Sequence, residues 1–192
     1  MRTAAFRDAR LDSAGGAAPS CGEPITDGGP MHVHEIRGIA DQLVRGYDGD
    51  AWYGTPTREV LRGLTADQAA ARPIPQAHTI WEIVVHMTGW QREVTRRLRT
   101  GMSREPEGGD WPAPPSPSPE SWAATLADLD AAHRELLAEV DIFPADRLDE
   151  LVGESLDGKQ GGGVSYYVLL HGIVQHNLAH TAQIALLRKA FT

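Results

Sequence analysis

The sequence has 192 residues, a formal net charge of −8 and a single cysteine, Cys21. A chain of this length can bury a hydrophobic core without disulfides, and the lone cysteine excludes an intramolecular disulfide and a thiolate-based metal site. The acidic balance argues against nucleic acid as a partner, and no apolar run approaches the roughly 18–20 residues of a membrane span. We therefore expect a cytoplasmic protein that binds neither nucleic acid nor membrane.

The first 30 residues differ in composition from the rest of the chain. Segments 13–20 and 27–30 are small, turn-prone and almost free of large apolar side chains, so they bury too little surface to offset the entropy of ordering. We expect residues 1–30 to form a disordered extension and residues 31–192 to form one domain. A periodic apolar pattern opens at Met31, and we hypothesise that translation starts there.

Helical periodicity dominates the next part of the chain. Apolar residues recur at helical spacing from about residue 34 to residue 47, which predicts a first long helix. Residues 55–64 begin with a Thr-Pro pair, typical of an N-cap and a proline at the first helical position, and predict a short helix. Thr65 repeats the capping pattern for one more turn. A second long helix is predicted from about residue 79 to residue 99.

The second half of the chain adds two more long helices. Residues 101–119 contain six prolines and form a loop that cannot stay helical. The segment Ser118-Pro119-Glu120 then supplies an N-cap, a proline at N1 and a first-turn acid for a third long helix. A glycine-rich connection at 153–163 precedes a fourth, from about Ser165 to Lys189. No strand-like alternation competes, so we predict an all-α bundle of four long helices with two extended connections.

Three of the eight histidines point toward the predicted core, and we call His86, His176 and His180 the histidine trio. His176 and His180 are four residues apart and in phase with neighbouring apolar residues, so their rings share one inward face. His86 lies on the apolar stripe of the second long helix. Burying these rings unpaired costs about 1–3 kcal/mol per polar group, and one shared divalent cation satisfies a nitrogen of each. Three histidine ligands leave a coordination position open, as in catalytic sites.

The alternative for any buried imidazole is a hydrogen bond to a backbone carbonyl or to another side chain. His133 is in phase with the apolar residues of the third long helix and fits a core or pocket position. His171 is off the inward stripe and is assigned to the surface or to the surroundings of the trio. His78 is expected to cap the second long helix, and His32 and His34 are expected to be solvated.

Other side chains near the trio have two interpretations each. Gln183, three residues after His180, either orients a ligand imidazole or closes the end of the bundle. Glu82, one turn before His86, is either an acceptor or general base for the site or a solvated acid near a helix start. Asn177 stands where a zinc-protease helix has its catalytic glutamate, which argues against that class. Three tryptophans either line a substrate mouth or anchor the core and loops: Trp81, Trp90 and Trp111.

Two segments resemble the motifs of a known family. The run from His171 to Arg188 is similar to the fourth-helix pattern His-x-x-x-His-x-x-Gln-Ile of the DinB/YfiT-like superfamily. The run from His78 to Met87 is similar to its second-helix pattern Ser/Thr-Ile-x-Glu-x-x-x-His. The resemblance spans about residues 31–190 and implies an up-down-down-up four-helix bundle, often dimeric, that binds one divalent ion such as zinc or nickel. The metal ligands that it implies are His86, His176 and His180.

The resemblance also implies a function. Members of the superfamily include thiol S-transferases and a mycothiol-dependent maleylpyruvate isomerase, which activate a low-molecular-weight thiol on the metal. We therefore expect a metal-dependent thiol S-transferase that acts on a small thiol and an electrophilic small molecule, with the loops at 101–119 and 153–163 covering the site. Glu82 and Gln183 are the candidates for catalytic residues. The alternative is a metal-stabilised binding or stress-response module without turnover.

Overall fold

The computed structural model describes residues 29–153 and 163–191. Residues 1–30, which were predicted to be disordered, lie almost entirely outside this part of the chain. Most of the glycine-rich connection at 153–163, which was predicted to cover the site, also lies outside it. The described residues form six α-helices, namely α1 (Gly29–Asp48), α2 (Thr57–Leu61), α3 (Ala66–Ala70), α4 (Ile80–Thr100), α5 (Pro119–Ile142) and α6 (Tyr166–Arg188). Short 3-10 helices at Ala145–Arg147 and Lys189–Phe191 follow α5 and α6.

The all-α prediction is confirmed for the described part of the chain. That part contains no β-strand, and an isolated β-bridge pairs Leu151 with Ser165. No helix among the described residues is long and apolar enough to cross a membrane. Four of the helices are long, and they are α1, α4, α5 and α6.

Side-chain caps fix where three of the long helices begin. Thr79 accepts a hydrogen bond from the N–H of Glu82 at the start of α4, and Ser118 caps α5 directly before a proline at N1. Ser165 caps α6 in the same way. The start predicted for the short helix is wrong by one residue, because Pro56 occupies the N-cap position and α2 opens at Thr57.

The helix α2 is also shorter than predicted. It ends at Leu61, and Gly63 then adopts a left-handed conformation with φ of 77°, which turns the chain before Leu64. Thr65 opens α3 with the predicted capping box, in which its side chain accepts from the N–H of Gln68. The two short helices are therefore separate elements.

Contacts along α4 and α5 follow the same order in both helices. Near their starts, the indole N–H of Trp81 donates to Thr125 Oγ1 at 3.0 Å. Near their ends, Arg99 Nε donates to Glu139 Oε1 at 2.8 Å. The two helices therefore lie side by side with the same direction.

Contacts between α1 and α5 follow the opposite order. Tyr47, near the end of α1, donates its hydroxyl proton to Asp130 in the first half of α5. A ring nitrogen of His32, near the start of α1, lies 3.1 Å from the carbonyl oxygen of Ala145, just after α5. The prediction that His32 is solvated is wrong, because this contact leaves its side chain only 25% exposed.

The last long helix, α6, contacts both α1 and α4. His171 Nε2 lies 2.8 Å from Glu35 Oε1 on α1, so this histidine is a partly buried contact between helices, away from the trio. His176 contacts His86 on α4. The position of α6 between these helices brings its histidines to α4.

The core consists of two hydrophobic clusters, and the trio lies where they meet. The first cluster joins α1 to the later parts of α4 and α5, and its last buried member on α6 is Val174. The second joins α2 and α3 to the earlier parts of α4 and α5, and resumes on α6 at Ile184. Its last buried member on α4 is Met87, next to His86. The histidines interrupt the apolar core where α4 crosses α6.

Candidate metal centre

The three imidazole rings of the trio meet in one place. Ring centroids are 4.9 Å apart for His86 and His176, 4.7 Å for His86 and His180, and 4.4 Å for His176 and His180. One ring nitrogen from each residue lies within 4.8 Å of the other two. His86 is buried and the other two are partly buried. The three side chains are close enough together to bind one metal ion.

Two helices supply these rings. His176 and His180 are one turn apart on α6, so their rings project from the same face. His86 comes from the second turn of α4, beside the buried Met87. Convergence therefore depends on the packing of α4 against α6, which sequence periodicity alone does not determine.

A backbone carbonyl orients the first ring. His86 Nδ1 lies 2.6 Å from the carbonyl oxygen of Asp110. The side chain of Asp110 in turn accepts from the indole N–H of Trp90 at 2.7 Å. Because a carbonyl oxygen only accepts, Nδ1 of His86 carries the proton and Nε2 presents its lone pair. This tautomer is the one that a metal ligand needs.

A side-chain amide orients a second ring. His180 Nδ1 lies 2.8 Å from Gln183 Oε1. A proton on Nδ1 again leaves the lone pair of Nε2 free. Gln183 was predicted either to orient a ligand imidazole or to close the end of the bundle. The contact with His180 supports the first of these interpretations.

The third ring is the one whose hydrogen bonding is incomplete. His176 Nδ1 is buried and has no hydrogen-bond partner among the described residues. Its Nε2 lies 2.9 Å from Nε2 of His86, which already presents a lone pair. Two lone pairs cannot face each other at this distance, so a proton or a cation must lie between them. The residues present therefore fit a shared cation.

The pKa values of the trio favour neutral rings. Burial, followed by repulsion from His180 and His86, lowers the pKa of His176 to about 4. Burial also lowers the pKa of His86 and of His180, although the acceptors Asp110 and Gln183 partly oppose it. All three rings therefore favour the neutral imidazole at neutral pH, which is the form that binds divalent ions.

The proline-rich loop reaches the trio through Trp111. Its ring stacks on His86 with centroids 3.8 Å apart and on His78, on the other side, with centroids 3.6 Å apart. The prediction that His78 caps α4 is wrong, because Thr79 is the N-cap and His78 lies against the indole. The stack places the loop over one face of His86.

An ion-pair network holds this loop against α4. Glu93 Oε1 accepts from the backbone N–H of Arg104 at 3.0 Å, and Arg97 Nη2 donates to the carbonyl of Arg104 at 2.9 Å. The guanidinium carbon of Arg97 lies 5.5 Å from the ring centroid of Trp90, which binds Asp110. The contacts connect the start of the loop to the residue that orients His86.

The carboxylate of Glu82 makes its hydrogen bonds at the start of α4. Its carboxylate accepts from the backbone N–H of Thr79 at 2.7 Å and from Arg72 at 2.6 Å, and lies 3.3 Å from His78 Nδ1. Burial raises its pKa, but these hydrogen bonds outweigh burial and the net shift is downward. None of its hydrogen bonds reaches the trio, so Glu82 is a capping residue of α4.

The remaining predicted residues fall in the core or at the surface. Trp81 is fully buried and anchors the core, as expected. His133 is buried and its ring stacks on Tyr47 with centroids 3.8 Å apart, which confirms the core position. His34 is exposed, as predicted. Sequence reasoning missed Asp110, because a backbone carbonyl within a loop has no periodic signal.

Comparison with known proteins agrees with this geometry. A profile of the DinB superfamily matches residues 55–184, which is more than half of the chain and includes the whole trio. Neither the curated proteins nor the solved structures give a match. The chain belongs to the DinB superfamily.

Proposed function

We propose that this protein is a divalent-metal-dependent thiol S-transferase, in which His86, His176 and His180 hold one zinc or nickel ion. It would join a low-molecular-weight thiol to an electrophilic small molecule. The observation that carries the proposal is the convergence of three neutral imidazoles, one nitrogen of each within 4.8 Å of the others. Three ligands leave at least one coordination position for a substrate.

A bound divalent cation supplies Lewis acidity, which lowers the pKa of a thiol and makes its sulfur a nucleophile at neutral pH. The chain contributes orientation. Asp110 and Gln183 hold the protons of two ligand rings on the nitrogen that faces away from the centre. Trp111 covers one face of His86 and excludes water from that side.

The reaction balances without a redox partner. With monochlorobimane as the electrophile, an S–C bond forms and the C–Cl bond breaks. Chloride leaves with the bonding electron pair, and the thiol proton passes to water. The proposed site therefore needs no oxidant or reductant.

The test is conjugation by protein loaded with zinc. Purified protein is mixed with monochlorobimane and a panel of bacterial thiols, and bimane fluorescence is followed against thiol and zinc alone. We expect acceleration by the wild type, loss of that acceleration in His180→Ala, and an unchanged rate in His34→Ala, since His34 is exposed and outside the trio.

Equal rates for the wild type and His180→Ala would contradict the proposal. They would support the second candidate, a metal-stabilised binding or stress-response module without turnover. One observation favours that candidate, because Glu82, the carboxylate considered as a general base, is occupied in capping α4.

We further propose the up-down-down-up bundle for this chain. The same order of contacts in α4 and α5 supports it, and so does the opposite order in α1 and α5. The proposal includes a homodimer in the cytoplasm. Light scattering coupled to size exclusion tests the dimer, and a monomeric mass over a range of concentrations would contradict it.

A further inference from the structure

An apolar groove opens next to the trio, between α4 and α6. Its volume is about 260 Å³. Six of the residues that line it are Trp90, Val94, Val168, Leu169, Gly172 and Ile173. His176 lies at the edge of the same groove, so the groove and the trio share a side chain. A molecule in the groove would therefore contact a proposed metal ligand.

A glycine inside α6 keeps the groove open. Gly172 lies in the second turn of the helix, where glycine destabilises the structure relative to alanine. A Cβ added at this position would have no heavy atom within 4 Å, so close helix packing does not explain the glycine. The residue lies one turn before His176 and one turn after Val168, on the stripe that faces the groove. Empty space at this position suits a ligand.

Size and charge restrict what the groove can hold. None of the described residues that line it carries a charge, and only the rings of Trp90 and His176 offer polar atoms. The polar body of a low-molecular-weight thiol therefore does not fit there. An apolar cavity of about 150 Å³ accommodates benzene, so this groove accommodates one substituted aromatic ring.

We propose that this groove binds the aromatic or branched hydrocarbon part of the electrophile, and so selects apolar electrophiles. The inference rests on the proposed thiol transfer, because that reaction requires a second substrate beside the metal. The groove holds the apolar group against Trp90 and Ile173, and its position at His176 keeps the reactive carbon close to the centre. Small polar electrophiles gain nothing from the groove.

Binding is tested first, on metal-free protein. The probe is 4-fluorobenzyl alcohol, an unreactive arene, followed by ¹⁹F line broadening as protein is added. We expect saturable binding by the wild type and a dissociation constant at least tenfold higher in Gly172→Leu, whose side chain fills the groove. Val168→Asp places a charge at a half-exposed position two turns from His176 and is expected to have the same effect.

Gly38→Leu is the matched control. Gly38 is also a helical glycine with no heavy atom within 4 Å of an added Cβ, and it lies on the exposed face of α1. Its dissociation constant for the probe is expected to equal that of the wild type. Absence of saturable binding by the wild type would overturn the proposal, and so would equal effects of Gly172→Leu and Gly38→Leu.

Turnover then separates the two proposals. With zinc-loaded protein, Gly172→Leu is expected to raise KM at least tenfold for benzyl chloride and to leave KM for 2-chloroacetamide unchanged. Equal changes for both electrophiles would overturn the groove proposal while leaving thiol transfer intact. Failure of the wild type to conjugate either electrophile would overturn thiol transfer, and the metal-free binding data would still decide the groove.

Discussion

Two rings of the trio have an acceptor on the nitrogen that faces away from the centre. For His86 the acceptor is the carbonyl of Asp110, and for His180 it is the amide oxygen of Gln183. Such partners fix the tautomer and the direction of a ligand ring, and their removal typically lowers metal affinity 10–100-fold. The amide can be tested by substitution, whereas the carbonyl belongs to the backbone.

Replacing Gln183 by leucine removes the acceptor of His180 Nδ1 and keeps the side-chain volume similar. We expect zinc affinity to fall about 10–100-fold, measured by competition with a chromophoric chelator. Gln175→Leu is the control, because Gln175 is exposed on the same helix. Equal affinity in the two variants would show that Gln183 merely closes the helix end.

The three histidines and Gln183 were predictable from the sequence, whereas Asp110 and the stack of His78 on Trp111 were not. Spacing of four residues and phase with the apolar stripe identify His176 and His180 without any structure. His78 has a local position that suits a cap, but its ring lies on Trp111, which is 33 residues later in the chain and reaches it only through tertiary packing. The stack depends on where a loop folds back, and no periodic pattern encodes that.

At the level of elements, the loop between α4 and α5 is the part that completes the site. Its start is fixed by Glu93, which is almost fully buried and hydrogen-bonded to two arginines of α4 and to the backbone of Arg104. Burial raises the pKa of Glu93, but these hydrogen bonds outweigh it and hold the pKa below its ordinary value of 4.5. The ionised carboxylate is therefore the form that supports the loop.

Glu93→Gln is expected to lower the free energy of unfolding by about 3–5 kcal/mol at pH 7, because it leaves the buried Arg97 without its anion. The folded pKa is depressed, so this stabilisation is present above the unfolded pKa and is lost as pH falls through the folded pKa. Urea unfolding at pH 7 and at lower pH measures the difference, which should shrink below pH 4.5.

Asp128→Asn is the control for the urea-unfolding measurements on Glu93→Gln. Asp128 pairs with Arg92 at the surface, with about half of each side chain exposed, so the substitution is expected to cost less than about 1 kcal/mol. A loss at Glu93 no larger than this would show that the buried network does not support the loop.

Element boundaries were predictable where a local signal exists. Thr65 and Ser118 cap their helices as the sequence patterns indicate, because capping involves residues only three positions apart. The prediction failed at α2, where Pro56 takes the N-cap position without a side-chain hydrogen bond. A capping residue therefore marks a helix start only where its side chain accepts a hydrogen bond from a backbone N–H of the first turn.

Across the whole molecule, the trio joins two hydrophobic clusters through α4 and α6. An ion held by both helices would stabilise the folded state, because the unfolded chain lacks the assembled site. Stabilisation by a ligand at 100 times its dissociation constant is about 2.7 kcal/mol. The apparent stability of the protein should therefore depend on metal concentration.

Adding zinc or nickel at that excess is expected to raise Tm by about 5–10 °C. Scanning fluorimetry with and without EDTA measures the shift, and elemental analysis of the purified protein identifies the ion. His86→Ala should abolish the shift and His34→Ala should retain it, since His34 is exposed on α1. A wild-type Tm that is the same with and without zinc or nickel would contradict the metal centre.

The distance along the chain between the two helices that carry the trio has a consequence for biosynthesis. His86 and His176 are 90 residues apart, and all of α5 is made between them. Closing so long a segment is costly in entropy before the intervening helix has packed. A metal ion held by the trio would therefore have no complete set of ligands on the nascent chain until α6 emerges, and it would stabilise the packing of α6 against α4 late in synthesis.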